Sequence, residues 1–155
     1  MKLIFISIIF SQLAYANISG KFYSEFKRNN QECAIEANLN QKNINQITFK
    51  QWDELCEDSN GNSYQSSLSD VMTYEKIGSN KLKVTQGKDS IELVAKILDF
   101  SKDKIHYNFE VDTEDGHLEI NDTYSLLGND LSYTSIYILD GKEIINNSGI
   151  IQKKK

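Results

Sequence analysis

From residue 18 onward, apolar and polar side chains alternate along the chain with a period of two. That period marks half-buried antiparallel strands. The clearest run is Ile105-His106-Tyr107-Asn108-Phe109-Glu110-Val111-Asp112, four apolar positions on one face and four polar ones on the other. Lys81–Thr85 repeats it, and Ile91, Leu93, Ala95 and Ile97 share a face. Leu118 and Ile120 alternate with Glu119 and Asn121, while Leu131, Tyr133, Tyr137 and Leu139 share one parity. Ile18, Gly20, Phe22 and Phe26 form the first such face. Helical spacing is sustained nowhere; the best helical stretch, Ser67–Lys76, holds Thr, Val and Tyr and suits a strand equally well.

The chain has no proline, so its turns rest on Gly, Asn, Asp and Ser. Asn60-Gly61-Asn62, Gly78-Ser79-Asn80, Gly87-Lys88-Asp89, Asp115-Gly116, Gly128-Asn129-Asp130 and Asp140-Gly141 punctuate it. Asp-Gly pairs suit tight primed hairpin turns. The pattern predicts about eight to ten strands, near 18–26, 33–40, 46–52, 67–77, 80–86, 90–100, 104–112, 117–126, 130–139 and 142–151. Short connections let each strand pair with the next. The expected fold is all-β, an antiparallel up-and-down meander that closes into a barrel, with a β-sandwich as the alternative, because an open sheet leaves two exposed edges.

One hairpin can be followed further. A turn at Ile44-Asn45 sets Cys33 opposite Cys56, within reach of a disulfide. The face holding Cys33, Ile35, Ala37 and Leu39 then meets Glu54 and Trp52, while Ile47 and Phe49 fall on the other parity. A bulge near Gln51-Trp52 would restore the register.

The amino terminus changes the setting. Met1-Lys2, an apolar stretch over Leu3–Phe10 and Ala14-Tyr15-Ala16 have the order and spacing of a cleavable signal peptide, residues 1–16. The apolar run is about half the roughly 20 residues that span a bilayer, so no stable membrane span is expected. The unit to explain is a single β domain, residues 17–155, secreted or periplasmic. An even cysteine count in an exported chain favours a bridge between Cys33 and Cys56. The whole chain has 17 basic and 22 acidic residues; Lys2 leaves with the leader, giving a net charge of −6. That balance argues against nucleic acid as a partner, which needs a basic patch.

Residues that carry chemistry are sparse. His106 lies on the polar face of its strand and His117 follows a turn glycine, so both are read as solvated. Neither a nucleophile elbow nor a phosphate loop occurs. Asp112–Gly116 and Glu57–Asn62 are dense in oxygen ligands but lack calcium-loop spacing. No metal, cofactor or catalytic residue is expected, and the reading leans away from an enzyme.

The first mature strand, Ser19-Gly20-Lys21-Phe22-Tyr23, resembles the Gly-x-Trp-Tyr element that opens lipocalins and the related calycin β-barrels, with Phe22 in place of tryptophan. The resemblance implies a barrel that carries a small apolar ligand. Inward candidates are large, among them Phe26, Leu93 and Ile97, and such bulk favours a filled core. Phe22, Tyr107, Phe109 and Tyr124 are the candidate ligand-binding residues. The expected function is an exported non-catalytic binding protein for a small hydrophobic ligand or an envelope or extracellular protein. The alternative is a small secreted enzyme or inhibitor with a site on its loops.

Overall fold

The computed structural model describes residues 17–154, apart from the side chain of Ile97. The proposed leader, residues 1–16, lies outside the described residues. Eleven strands follow in order: β1 (Gly20–Arg28), β2 (Gln31–Asn43), β3 (Gln46–Asp58), β4 (Ser63–Ser67), β5 (Met72–Lys76), β6 (Lys81–Gln86), β7 (Asp89–Phe100), β8 (Lys104–Thr113), β9 (Gly116–Leu127), β10 (Asp130–Leu139) and β11 (Lys142–Lys153).

The strands form a closed antiparallel barrel. Successive strands pair from β5 through to β11, β11 meets β1, β1 meets β2, β2 meets β3, and β3 meets β5. Ten strands therefore make the ring, and β4 is an addition to it. β3 explains why. It is 13 residues long, and the same edge pairs with β5 through residues 46–49 and with β4 through residues 53–57. The strand expected near 67–77 is thus the shorter β5, and β4 ahead of it is an additional strand that the alternation did not predict, the two separated by residues 68–71. Asp70 Oδ1 accepts the Val71 amide at 2.7 Å, and the Leu68 amide donates to Trp52 O at 3.0 Å.

Cys33 faces Cys56 in the β2–β3 register and is bonded to it, with the Cα atoms 4.0 Å apart. Asn38 pairs with Gln51 but Leu39 with Phe49, so Lys50 is the extra residue of a bulge. The bulge puts Ile47, Phe49, Trp52, Glu54 and Cys56 on one side despite their mixed parity. A second irregularity, between Ala95 and Ile97, overturns the expected face on β7. Ala95 is buried, Leu93 and Leu98 pack on the core, and Phe100 is buried, so the inward parity changes across Lys96. Ile91, expected to share the inward face, is 52% exposed near the β6–β7 turn.

Tight turns join the strands. Asp140 and Gly141 take φ of 48° and 77°, as the Asp-Gly pair predicts for a primed turn. Asn29-Asn30 does the same between β1 and β2, with φ of 48° and 69°; asparagine tolerates this region better than most residues.

The interior has two halves. Where β1 begins, aliphatic and aromatic side chains fill it: Ile18, Phe22, Leu39, Ile47, Leu82, Ile105, Leu131 and Ile151. The chain is anchored there by Gln41, which accepts the Ile18 amide at 2.9 Å and donates to Ser101 O at 2.6 Å. Towards the other end the inward positions become polar and aromatic. The outside carries charge, for example Lys21, Glu25, Lys27, Glu32, Lys50 and Glu57. This is the inverse of a membrane-spanning barrel, whose outer band is apolar. Among the described residues no helix is long and apolar enough to cross a membrane.

Candidate functional site

The polar half of the interior is not filled. A cavity of about 140 Å³ lies between β3–β5 and β9–β11. Phe49, Trp52, Tyr64, Tyr74, Tyr124 and Tyr137 give it an aromatic wall, and Asp122, Glu54, Ser135 and Asn147 give it polar groups. The rings brace one another. Phe49 and Tyr124 meet edge-to-face at 4.9 Å, Trp52 meets Tyr124 at 5.7 Å, and Tyr74 stacks on Tyr107 at 4.7 Å. Such contacts hold the wall in shape beyond what area burial provides.

Two buried carboxylates differ in their surroundings. Glu54, 3% exposed, pairs with Arg28, whose Nη2 lies 2.5 Å from Oε1. Tyr133 completes the group, accepting from Arg28 Nη2 at 2.7 Å and donating to Glu54 at 3.3 Å. Arg28 Nη1 also lies 3.8 Å from Cys56 Sγ, so the bridge and the ion pair support each other's position.

Asp122, 2% exposed, has no such counter-charge. The Tyr107 hydroxyl donates to its Oδ2 at 2.8 Å. Its Oδ1 is buried without a hydrogen-bond partner. Burial pushes its carboxyl up to about 6, moderated by the nearby hydroxyls of Ser135, Tyr107 and Tyr137. None of the described ion pairs includes it. Burial likewise raises the phenols of Tyr74, Tyr107, Tyr124 and Tyr137, so these stay neutral hydrogen-bonding groups.

The barrel seam lies next to the cavity. β1 and β11 pair only at Phe22–Lys153 and Tyr23–Gln152. Farther along they separate, and a cleft of about 240 Å³ opens between Arg28, Asn29 and Gln31 on one side and residues 144–147 on the other. Tyr64, Ile145 and Asn147 border both this cleft and the interior cavity. The seam cleft and the cavity are therefore immediate neighbours.

Of the four residues expected to bind a ligand, Tyr124 lines the cavity. Tyr107 stands behind the wall, where it holds Asp122 and stacks on Tyr74. Phe22 and Phe109 belong to the packed core. Asp122, Trp52, Tyr74 and Tyr137 line the cavity too, although the chain pattern assigns none of them to ligand binding. A signal for Asp122 existed: continuing the Leu118, Ile120 parity by one step aims it inward, before Tyr124. Glu54 likewise lies opposite Ile35 on the inward face, where Arg28 pairs with it.

The histidines are not brought together. His106 bonds Asn121 at 3.1 Å. His117 is exposed and held by Asp112 at 2.8 Å and Glu110 at 3.5 Å, the latter shared with Lys96. The Asp112 hydrogen bond and the nearby acids hold its imidazole above the ordinary value. This is a surface ion-pair cluster. Among the described residues no group of His, Cys, Asp and Glu could hold a metal ion.

The fold and site define a closed ten-strand antiparallel barrel with a small aromatic and acidic interior cavity. Comparison with protein-family models, with curated proteins and with solved structures finds no match for the chain.

Proposed function

We propose that the protein is an exported, non-catalytic binding protein that holds a small molecule inside its barrel. The carrying observation is the cavity of about 140 Å³ beside Asp122, with the cleft at the β1–β11 seam next to it. Concave interior sites with a few convergent polar groups and a perturbed ionisable residue are where small ligands bind. The first strand and the disulfide support a lipocalin-like reading by analogy, although ten strands close this barrel where lipocalins use eight. The disulfide also supports export, since such bonds persist in oxidising compartments. A ligand of wholly apolar character fits less well than the chain pattern implied, because Asp122, Ser135 and Asn147 share the wall. An enzymatic or inhibitory role has less support, with both histidines on the outer face.

Native mass spectrometry of protein taken gently from its producing cells tests the reading. The expected spectrum shows a small adduct that denaturation releases. A protein that is always empty, and whose Trp52 emission no panel of small molecules alters, would overturn it. Amino-terminal sequencing tests export: the chain should begin at Asn17, and an intact Met1 in a cytoplasmic fraction would remove that part.

A further inference from the structure

We propose that the interior cavity takes a small protonated amine, with Asp122 as its counter-ion and the surrounding rings as a cage. This rests on the reading of the barrel as a small-molecule carrier. It names the ligand chemistry that the wall selects.

Three observations converge. First, Asp122 lines the cavity almost wholly shielded from water and without a counter-charge, and its Oδ1 has no hydrogen bond of good geometry, the Ser135 and Tyr137 hydroxyls standing beside the carboxyl. A buried acceptor of this kind is normally satisfied, and its exceptions call for an explanation. An apolar guest would leave it orphaned and strip it further of solvent. An N–H donor would complete it. Second, the half-buried cation Arg28 is already engaged by Glu54. The charge of Asp122 is therefore free to be matched by a guest. Third, Trp52, Tyr64, Tyr74, Tyr124 and Tyr137 surround the same space. Aromatic faces attract cations, most strongly where water is excluded.

Ser135, Tyr137 and Asn147 lie in the same wall, so oxygen-bearing side chains stand near the remaining N–H groups of an ammonium. A hard metal ion fits less well, since it favours several charged oxygen ligands, and among the described residues no group of His, Cys, Asp and Glu could hold one. Size sets the rest. A cavity of about 150 Å³ accommodates benzene, so a guest of this size class, with one ammonium, fills the space. The net negative charge of the mature chain would draw cations towards the protein as a whole.

The test is calorimetric titration of the mature protein, residues 17–155, with benzylamine, benzyl alcohol, toluene and tetramethylammonium, using wild type and Asp122→Asn. Benzylamine should bind wild type at least about tenfold tighter than benzyl alcohol, as expected for a charge-assisted bond inside a cage. It should also exceed tetramethylammonium, which has no N–H for Oδ1. Asp122→Asn should lose about tenfold for benzylamine and leave toluene unchanged. Equal binding of benzylamine and benzyl alcohol by wild type would overturn the amine while leaving the carrier reading intact. So would an Asp122→Asn protein that is folded by circular dichroism and binds benzylamine normally. Tetramethylammonium binding as tight as benzylamine would also overturn it, replacing the N–H donor with a quaternary cation. If no probe binds and native spectra show no guest, both readings fall. Should Asp122→Asn fail to fold, the wild-type series decides alone.

Discussion

Replacing Asp122 with asparagine should stabilise the folded protein at neutral pH, although it removes a charged residue from a hydrogen-bonded position. The side chain keeps its shape, and its carbonyl can still accept the Tyr107 hydroxyl that now bonds Oδ2 at 2.8 Å. What disappears is a buried charge with no counter-ion. In the folded state the carboxyl is pushed up to about 6, against an ordinary 3.8 in the unfolded chain. The folded state therefore holds the proton more tightly. Stability contributed by the protonated form is fully present below about pH 4 and lost as pH rises through about 6. Above that the ionised group costs up to about 3 kcal/mol, from roughly 1.4 kcal/mol for each pH unit of displacement. Asp122→Asn should recover about 1–3 kcal/mol of this at pH 7.5 and nothing at pH 4. The groups that face Asp122 do not confuse the comparison. The phenols of Tyr74, Tyr107, Tyr124 and Tyr137 are displaced upward, away from this range, and Glu54 is held by Arg28 in both proteins.

The assay is urea unfolding at pH 4.0 and 7.5, followed by the emission of Trp52, the single tryptophan and part of the cavity wall. A gain of this size should also raise Tm by about 3–4 °C per kcal/mol for a domain of this length. A variant less stable than wild type at pH 7.5, or a gain that is the same at both pH values, would refute the account of Asp122 as an uncompensated buried charge. The expected gain also bears on function. A protein that keeps a destabilising group where a neutral isostere would serve stability better has the pattern of a binding site.

The other buried carboxylate should respond in the opposite sense. Arg28→Met strands Glu54 in the interior and should cost about 3–5 kcal/mol at pH 7, with partial recovery in the Arg28→Met, Glu54→Gln double variant; urea unfolding of the set checks it. Replacing Cys33 and Cys56 together by alanine should cost about 2–4 kcal/mol, chiefly by freeing the unfolded chain, and Tm against the oxidised wild type measures it. Gly149→Ala should cost about 1–3 kcal/mol through overpacking. A methyl there would lie 2.9 Å from Tyr133 Cε1, against a ring that also holds Arg28 and Glu54. Its Tm would show this, and Gly78→Ala serves as a control, with only an ordinary 3.8 Å contact to Lys81 Cβ.

Strand positions, the meander order and the Cys33–Cys56 pairing could be read along the chain because each depends on neighbours in sequence. A period of two selects a face, an Asp-Gly pair closes a turn, and equal distances from Ile44-Asn45 place two cysteines across from each other. Even the bulge in β3 was legible, since Phe49 and Trp52 could not otherwise share the interior. The shift across Lys96 was not, because Ile91 to Ile97 alternates cleanly and only the pairing with β8 reveals the extra residue.

The site belongs to the other category. Asp122 comes from β9, Trp52 from β3, Tyr74 from β5 and Tyr137 from β10, and only closure of the ring brings them around one space. Large inward side chains pointed to a filled core, and half of the interior obeys. Whether the other half fills depends on how ten strands set the width, where β1 and β11 part, and which carboxylate Arg28 reaches. Those are distances between residues far apart in sequence. The chain by itself determined alternation, turns and the bridge, which are local or nearly so. Only the tertiary structure decided that one buried acid is paired and the other is left facing a cavity.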